Sequence, residues 1–205
     1  MFVSMRPARR ALLATAAVAL AGCATTQLDA EWRDPQASPG ALRGARVLVA
    51  CDAFEAVIVQ ICRDQMAGAV SAQGATPVFV PTNFPISPTR AIDPQLLLAA
   101  RDVGAKAMLV VTVAVASSNV SQGMSIGIGG FGFGSSGGGG IGISAPVGGG
   151  NVTQGYAANG RLTDVASERL LWTAKATSPA SGDINAQMSE LSKTLFAAAT
   201  KAGVF

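Results

Sequence analysis

Ala45-Arg46-Val47-Leu48-Val49-Ala50-Cys51 is an apolar run with a single charge. It is followed by a helix-like stretch from about residue 55 to 73 that stops at Gly74, and then by Thr76-Pro77-Val78-Phe79-Val80. Strand, helix and strand signals in that order, punctuated by glycine, predict a βαβ unit and with it a parallel strand pair. The rest of the chain is read outward from this unit.

Toward the C-terminus, a proline-rich loop with Pro81, Pro85 and Pro88 leads to Asp93-Pro94. That pair predicts an N-cap with proline at the first helical position, and a short helix Gln95 to Val103 closed by Gly104. Lys106 to Ser117 is β-branched and apolar almost throughout, as a strand buried on both faces requires, and it is expected at the centre of the sheet. Gly155 to Asp164 and Leu170 to Thr177 flank a short turn at Ala166-Ser167 and predict a hairpin. Asp183 then caps a final helix in which Ile184, Met188, Leu191, Leu195, Ala198 and Ala202 share one face. The expected fold is α/β, in the sense of an α+β sandwich. A mixed sheet in the order β-α-β-α-β-β-β-α carries helices packed on it, and a Gly-rich insert precedes the C-terminal hairpin and helix.

The N-terminus reads differently. Arg6, Arg9 and Arg10 precede an uncharged run of 11 residues, Ala11 to Ala21. A membrane-spanning helix needs about 20 apolar residues, so this run has the length of a secretory signal, and residues 1–22 are read as one. It closes in Leu20-Ala21-Gly22-Cys23, which resembles the lipobox of bacterial lipoproteins. That resemblance implies cleavage before Cys23 and an N-acyl diacylglyceryl modification of that residue, the diacylglyceryl group on its thiol and the acyl chain on its freed α-amine. With about 0.8 kcal/mol per buried methylene, several acyl chains anchor a protein for good. Ala24, rather than an acidic residue, follows the cysteine, which by the same resemblance implies export to the periplasmic face of the outer membrane.

Removal of the signal changes the charge. The chain has 15 basic and 12 acidic residues, and the three signal arginines leave 12 against 12. The mature net charge of zero, with no aromatic-basic stripe, excludes a nucleic-acid partner. The remaining 183 residues suffice for one domain with a core. Residues 23–42, with Pro35 and Pro39 and little periodicity, are read as a lipidated N-terminus and tether, and 43–205 as the domain. Such a tether, extended at roughly 3.3 Å per residue, would reach about 60 Å. Trp32 within it is read as a ring packed back on its own domain or as an anchor for a partner or the membrane interface.

Lipidation of Cys23 leaves Cys51 and Cys62 as an even pair in an oxidising compartment, where a disulfide is expected. A helix starting near Phe54 would carry the thiols apart. A start nearer Val57 would bring the Cα atoms within the roughly 7 Å that bonding demands; two buried free thiols are the alternative.

The lipobox, Cys23-Ala24-Thr25-Thr26, Trp32-Arg33-Asp34-Pro35, the stretch Tyr156-Ala157-Ala158-Asn159-Gly160-Arg161-Leu162-Thr163-Asp164-Val165 and Leu170-Leu171-Trp172, on this order of elements, carry a resemblance. It is to the small periplasmic domain shared by the TolB amino-terminal domain, penicillin-binding-protein activator lipoproteins and the curli-secretion lipoprotein. It is closer still to proteobacterial lipoproteins of unknown function with a Gly-rich insert before a final hairpin. The resemblance implies location and fold more than activity.

Chemistry is sparse. The chain has no histidine, so Ser-His-Asp and Cys-His arrangements and imidazole metal ligation are excluded. Asp52 and Glu55 follow the first strand, where open α/β sheets place ligand groups, but they are read as solvated loop acids. Asp164, Glu168 and Arg169 are read as a solvated hairpin end. The crowded glycines Gly127, Gly129, Gly130, Gly132 and Gly134 do not open a helix, and no Gly-Lys-Ser/Thr follows, so a phosphate loop is excluded. From Ala107 to Gly160 there is no Asp, Glu, Lys or Arg, and Gly123 to Gly150 holds 14 glycines. Ile126, Ile128, Phe131, Phe133, Ile141 and Ile143 alternate there with small residues. The insert is therefore read as a periplasmic loop partly prolonging the sheet, with a membrane-inserted hairpin as the alternative.

The expected function is that of a non-catalytic interaction or adaptor protein of the cell envelope, with no catalytic, cofactor or metal residues. Its partners would be the membrane, through the lipid, and an envelope protein. The alternative is an oligomeric membrane-active lipoprotein that inserts its Gly-rich hairpin, as a pore or secretion component.

Overall fold

The computed structural model describes residues 25–87, 89, 91–120, 124–126 and 152–205. In chain order the elements are β1 (Gln27–Arg33), β2 (Arg46–Ala53), α1 (Ala56–Ala72), β3 (Thr76–Val78), α2 (Ile92–Asp102), β4 (Ala107–Val120), β5 (Met124–Ile126), β6 (Val152–Asp164), β7 (Leu170–Thr177) and α3 (Ile184–Lys201). One mixed sheet runs β1-β7-β6-β4-β2-β3, with β5 paired to β4 beside this path. The βαβ reading holds: β2 and β3 are parallel, β2 and β4 are parallel, and the remaining pairs are antiparallel.

The strand with the longest apolar run is central. β4 lies between β2 and β6, and Ala107, Leu109 and Val111 are buried on one face while Met108 and Val110 are buried on the other. Two helices cover the first face. Ile58, Cys62, Met66 and Val70 of α1 and Met188, Leu191, Leu195 and Ala198 of α3 meet Val47, Val49, Leu162, Trp172 and Ala174 there. Each fully buried Leu or Met contributes about 1.5–3 kcal/mol, so the α3 stripe alone fixes that helix on the sheet. The second face has only α2, whose Leu96 and Ala100 pack on Leu48, Met108 and Val110.

Helix ends follow the punctuation. Gly74 and Gly104 adopt left-handed φ angles of 77° and 65° just past α1 and α2, where a side chain would be strained. Asp183 Oδ1 accepts from the Ala186 N–H at 3.0 Å and caps α3. α2 departs from expectation. It begins at Ile92 behind Ala91, with no side-chain cap, so Asp93 lies inside the first turn, and its carboxylate is engaged by Arg161.

The tether reading of residues 23–42 is overturned from residue 27 onward. Gln27–Arg33 is the outermost strand, antiparallel to β7, and Leu42 is a core residue. The strand was passed over although Leu28, Ala30 and Trp32 alternate with Asp29, Glu31 and Arg33; it is an edge strand exposed along nearly its whole length, followed closely by Pro35 and Pro39. Its acids instead hold it to the sheet: Glu31 accepts from Trp172 Nε1 at 3.0 Å and Asp29 from Thr177 Oγ1 at 2.5 Å.

β4 and β6 are longer than expected, paired out to Val120 with Val152, and β5 folds back on β4 against Ser118–Val120. The expected alternation through Ile128, Phe131, Phe133, Ile141 and Ile143 lies outside the described residues, as do residues 1–24 with Cys23.

Candidate functional site

Cys51 lies in the last part of β2, two residues before its end, and Cys62 lies two turns into α1. Because α1 starts at Ala56, the two Cα atoms stand 6.2 Å apart and the sulfurs are joined in a disulfide. Cys62 is fully buried, so the bond sits at the edge of the core rather than on an accessible surface.

Asp52 and Glu55 flank this bond. Asp52 lines a cleft of about 460 Å³ on the α2 face, beside the first turns of that helix. The cleft floor is Ala50, Val110 and Thr112, its walls are Ile86, Ile92 and Leu96, and Arg63 and Arg161 enter from either side. Arg161 is committed: its guanidinium makes paired 2.9 Å contacts with both oxygens of Asp93. Arg63 stacks its guanidinium 4.8 Å from the Phe79 ring centre. Glu55 instead faces the β6 side, where burial first and the Glu55 charge second push the Tyr156 phenol above its ordinary pKa. Tyr156 donates to Gln154 Oε1 at 2.8 Å, so its hydroxyl is satisfied.

These groups do not make a reactive constellation. Among the described residues no three acidic or thiol groups gather where a metal could be held. A void beside Gly160, Trp172 and Leu195 measures about 10 Å³, the smallest size that holds a water, and its lining is apolar.

The hairpin end is not merely solvated, contrary to expectation. Arg169 pairs with Asp34, which is only 6% exposed, and Glu168, at φ 60°, pairs with Arg101 of α2. Burial pushes the Asp164 carboxyl up. The Ser167 N–H and hydroxyl, the Ala166 N–H and the Lys106 charge outweigh it and hold the group below its usual range. These residues brace the turn and tie β1 and α2 to it.

Several quoted stretches are therefore structural. In Trp32-Arg33-Asp34-Pro35, Asp34 accepts from the Gln36 N–H at 2.9 Å and its own N–H donates to Leu171 O. In Tyr156 to Leu162, Gly160 makes room for the Trp172 ring: a Cβ there would lie 3.3 Å from it. Trp32 is half exposed, paired with Thr173 on the strand's outer edge, and is not packed into a core.

Sequence reasoning missed Phe54, the most exposed large apolar side chain described, at 94%. Its signal was an aromatic residue between a strand end and a helix start, flanked by Asp52 and Glu55.

No family model matches the chain, and no curated protein sequence matches it. Two structures of the PelC dodecamer from Paraburkholderia phytofirmans are similar in fold, with TM-score 0.49 for each. They are 13% and 12% identical, covering 84% and 83% of this chain and 95% and 97% of theirs. A lipoprotein of Neisseria meningitidis follows with TM-score 0.41 and 17% identity, covering 77% of this chain and 96% of that one. A Xanthomonas campestris protein of a domain family of unknown function, DUF330, has TM-score 0.39 and 10% identity over 84% and 94%. The likeness is to a small α/β fold. No function passes with it.

Proposed function

We propose that this chain is a lipid-anchored protein of the bacterial envelope, facing the periplasm from the outer membrane, and that it acts by non-catalytic interaction. The observation that carries the reading is Leu20-Ala21-Gly22-Cys23 at the end of an uncharged signal-length run. The Cys51–Cys62 disulfide supports it, since such bonds persist in oxidising compartments. The scarcity of convergent reactive groups in the described cleft favours interaction over catalysis, and an envelope protein is the expected partner. Among the described residues no helix is long and apolar enough to cross a membrane.

The test is Cys23→Ser. Without the thiol no thioether forms, so acyl labelling and membrane fractionation should both be abolished; a variant that still fractionates wholly with the outer membrane would overturn the reading.

A second reading, an oligomer that inserts part of the 107–160 tract into the membrane, is favoured by one observation. β4 and β6 stay paired past the last β2 and β7 partners, out to Val120 and Val152. Protease resistance of the tract only in lipid, together with ring-shaped particles, would select it.

A further inference from the structure

We infer that the open edge of β2 from Val49 to Ala53, recessed in the cleft between α1 and the loop after β3, is a docking groove for an extended peptide segment of a partner protein. The segment adds a strand to the sheet where β3 leaves off, with an acidic side chain at the Arg63 end and a basic one at the Asp52 end. The inference deepens the interaction reading and rests on it for a protein partner. The geometry of the groove is independent of the anchor.

The backbone comes first. β3 pairs with β2 only from Arg46 to Leu48, whereas β2 runs on to Ala53 with β4 along its other side. The Thr76 N–H donates to the Ala45 carbonyl, so the odd-numbered residues of β2 turn their backbone groups toward the β3 side. Among the described residues, nothing on that side hydrogen-bonds to the Val49 carbonyl or to the N–H and carbonyl of Cys51. Donors and acceptors at alternate residues are the template to which an extended chain adds. The open stretch is roughly 13 Å long at about 3.3 Å per residue, which suits a segment of about five residues.

The walls select the occupant. The cleft follows this stretch of β2, with Val59 and Arg63 of α1 on one side and Ile86 and Ile92 on the other. Side chains of an added strand alternate between two such walls. An acyl chain in the same place would leave the backbone groups along the floor unsatisfied. A single extended chain also enters between two walls more readily than the sheet edge of a second copy. The Cys51–Cys62 bond ties the floor to α1 one residue from Arg63, so the groove is formed before the segment arrives.

Charge gives the segment its sense. Arg63 is held over the Phe79 ring, where β3 has just ended, and Asp52 lies near the far end of β2. Among the described residues neither has an ion-pair partner. The neighbouring charges are engaged elsewhere: Arg161 with Asp93, Asp64 with the Gln60 amide, and Glu55 on the β6 side. A carboxylate at one end of the segment, a base at the other and apolar side chains between them against Ile86 and Ile92 complement what the groove offers.

The experiment uses the full lipidated protein in detergent micelles, disulfide intact, with Cys23 acylation read from its mass. The probes are the capped peptide Asp-Val-Val-Thr-Lys and its reverse, since a strand can add in either direction. In amide NMR the Cys51 N–H should exchange freely in the protein alone. One of the two probes should then shift the amides of Val49 to Ala53 and protect that N–H. Changing the probe's Asp to Asn should weaken binding roughly tenfold in the unsubstituted protein and have no effect with Arg63→Gln. N-methylation of the probe should abolish binding at alternate amides only, as pairing along one edge requires. A Cys51 N–H already protected without probe would mean that detergent or a second copy fills the edge, and would overturn the groove. Neither probe binding to acylated, disulfide-bonded protein, or binding indifferent to N-methylation, would overturn it as well while sparing the anchor. Unacylated Cys23 would overturn the anchor, and the same titration would still decide the groove.

Discussion

Reducing the Cys51–Cys62 bond should loosen the join between β2 and α1, and the size of the effect follows from the loop it closes. The cysteines are 11 residues apart, and closing a loop of about that length removes enough chain entropy from the unfolded state to contribute about 3 kcal/mol. For a domain of this size each kcal/mol moves the melting temperature by about 2–4 °C, so reduction should lower it by roughly 6–12 °C. The assay is thermal unfolding of the mature protein followed by circular dichroism, with and without reductant. Cys51→Ala/Cys62→Ala serves as the variant that reductant cannot affect. Because Cys62 is fully buried, that variant should melt at least as low as the reduced protein. A melting temperature unmoved by reductant, or alkylation of both thiols in non-reduced protein from the envelope, would refute the reasoning.

Gly155→Val should destabilise by about 1–3 kcal/mol, read by denaturant melts, since even a Cβ would stand 2.6 Å from Ser117 Oγ and 2.7 Å from the Ser178 carbonyl. Asp34→Ala should cost about 1–2 kcal/mol by removing the acceptor of the Gln36 N–H and the partner of Arg169, whose half-exposed side chain can return to water. Deleting Gly123–Gly150 leaves Ser121, Gln122 and Asn151 to join the paired residues Val120 and Val152. A connection of that length suits a hairpin, so the variant should keep a cooperative unfolding transition. Asp164 titrates below its free-chain range, so its contribution to stability is present above that range and is lost as pH falls through the folded value. Asp164→Asn should therefore flatten the acid limb of the stability–pH curve.

What could be read in advance, and what could not, divides along burial. β4 and α3 were legible because their apolar spacing records faces that are buried, and Gly74 and Gly104 because only glycine sits easily at their backbone angles. β1 was passed over although Leu28, Ala30 and Trp32 alternate with Asp29, Glu31 and Arg33: the run is short, stands beside Pro35 and Pro39, and belongs to an exposed edge strand held by backbone pairing and by Glu31 and Asp29. Asp93 misled for a related reason. Asp before Pro is a good N-cap pattern, but the carboxylate's partner, Arg161, is 68 residues away, and a local rule carries no information about it. The cleft was half legible. Asp52 could be placed at a strand end, whereas the presence of Arg63 and Arg161 in one cleft depends on how the fold places α1 and β6 around β2 and β4. This bears on the proposed anchor: once β1 is a strand, the expected tether of about 60 Å shrinks to the few residues between Cys23 and Gln27.

The central claim, that this is a lipid-anchored envelope protein, is tested most directly by the intact mass of the mature chain extracted from outer membranes. The account predicts a protein beginning at Cys23, with the mass of a diacylglyceryl group and an amide-linked acyl chain added to the cysteine, and with Cys51 and Cys62 two hydrogens short of free thiols. An unmodified N-terminus, whether at Cys23 or elsewhere, would contradict it.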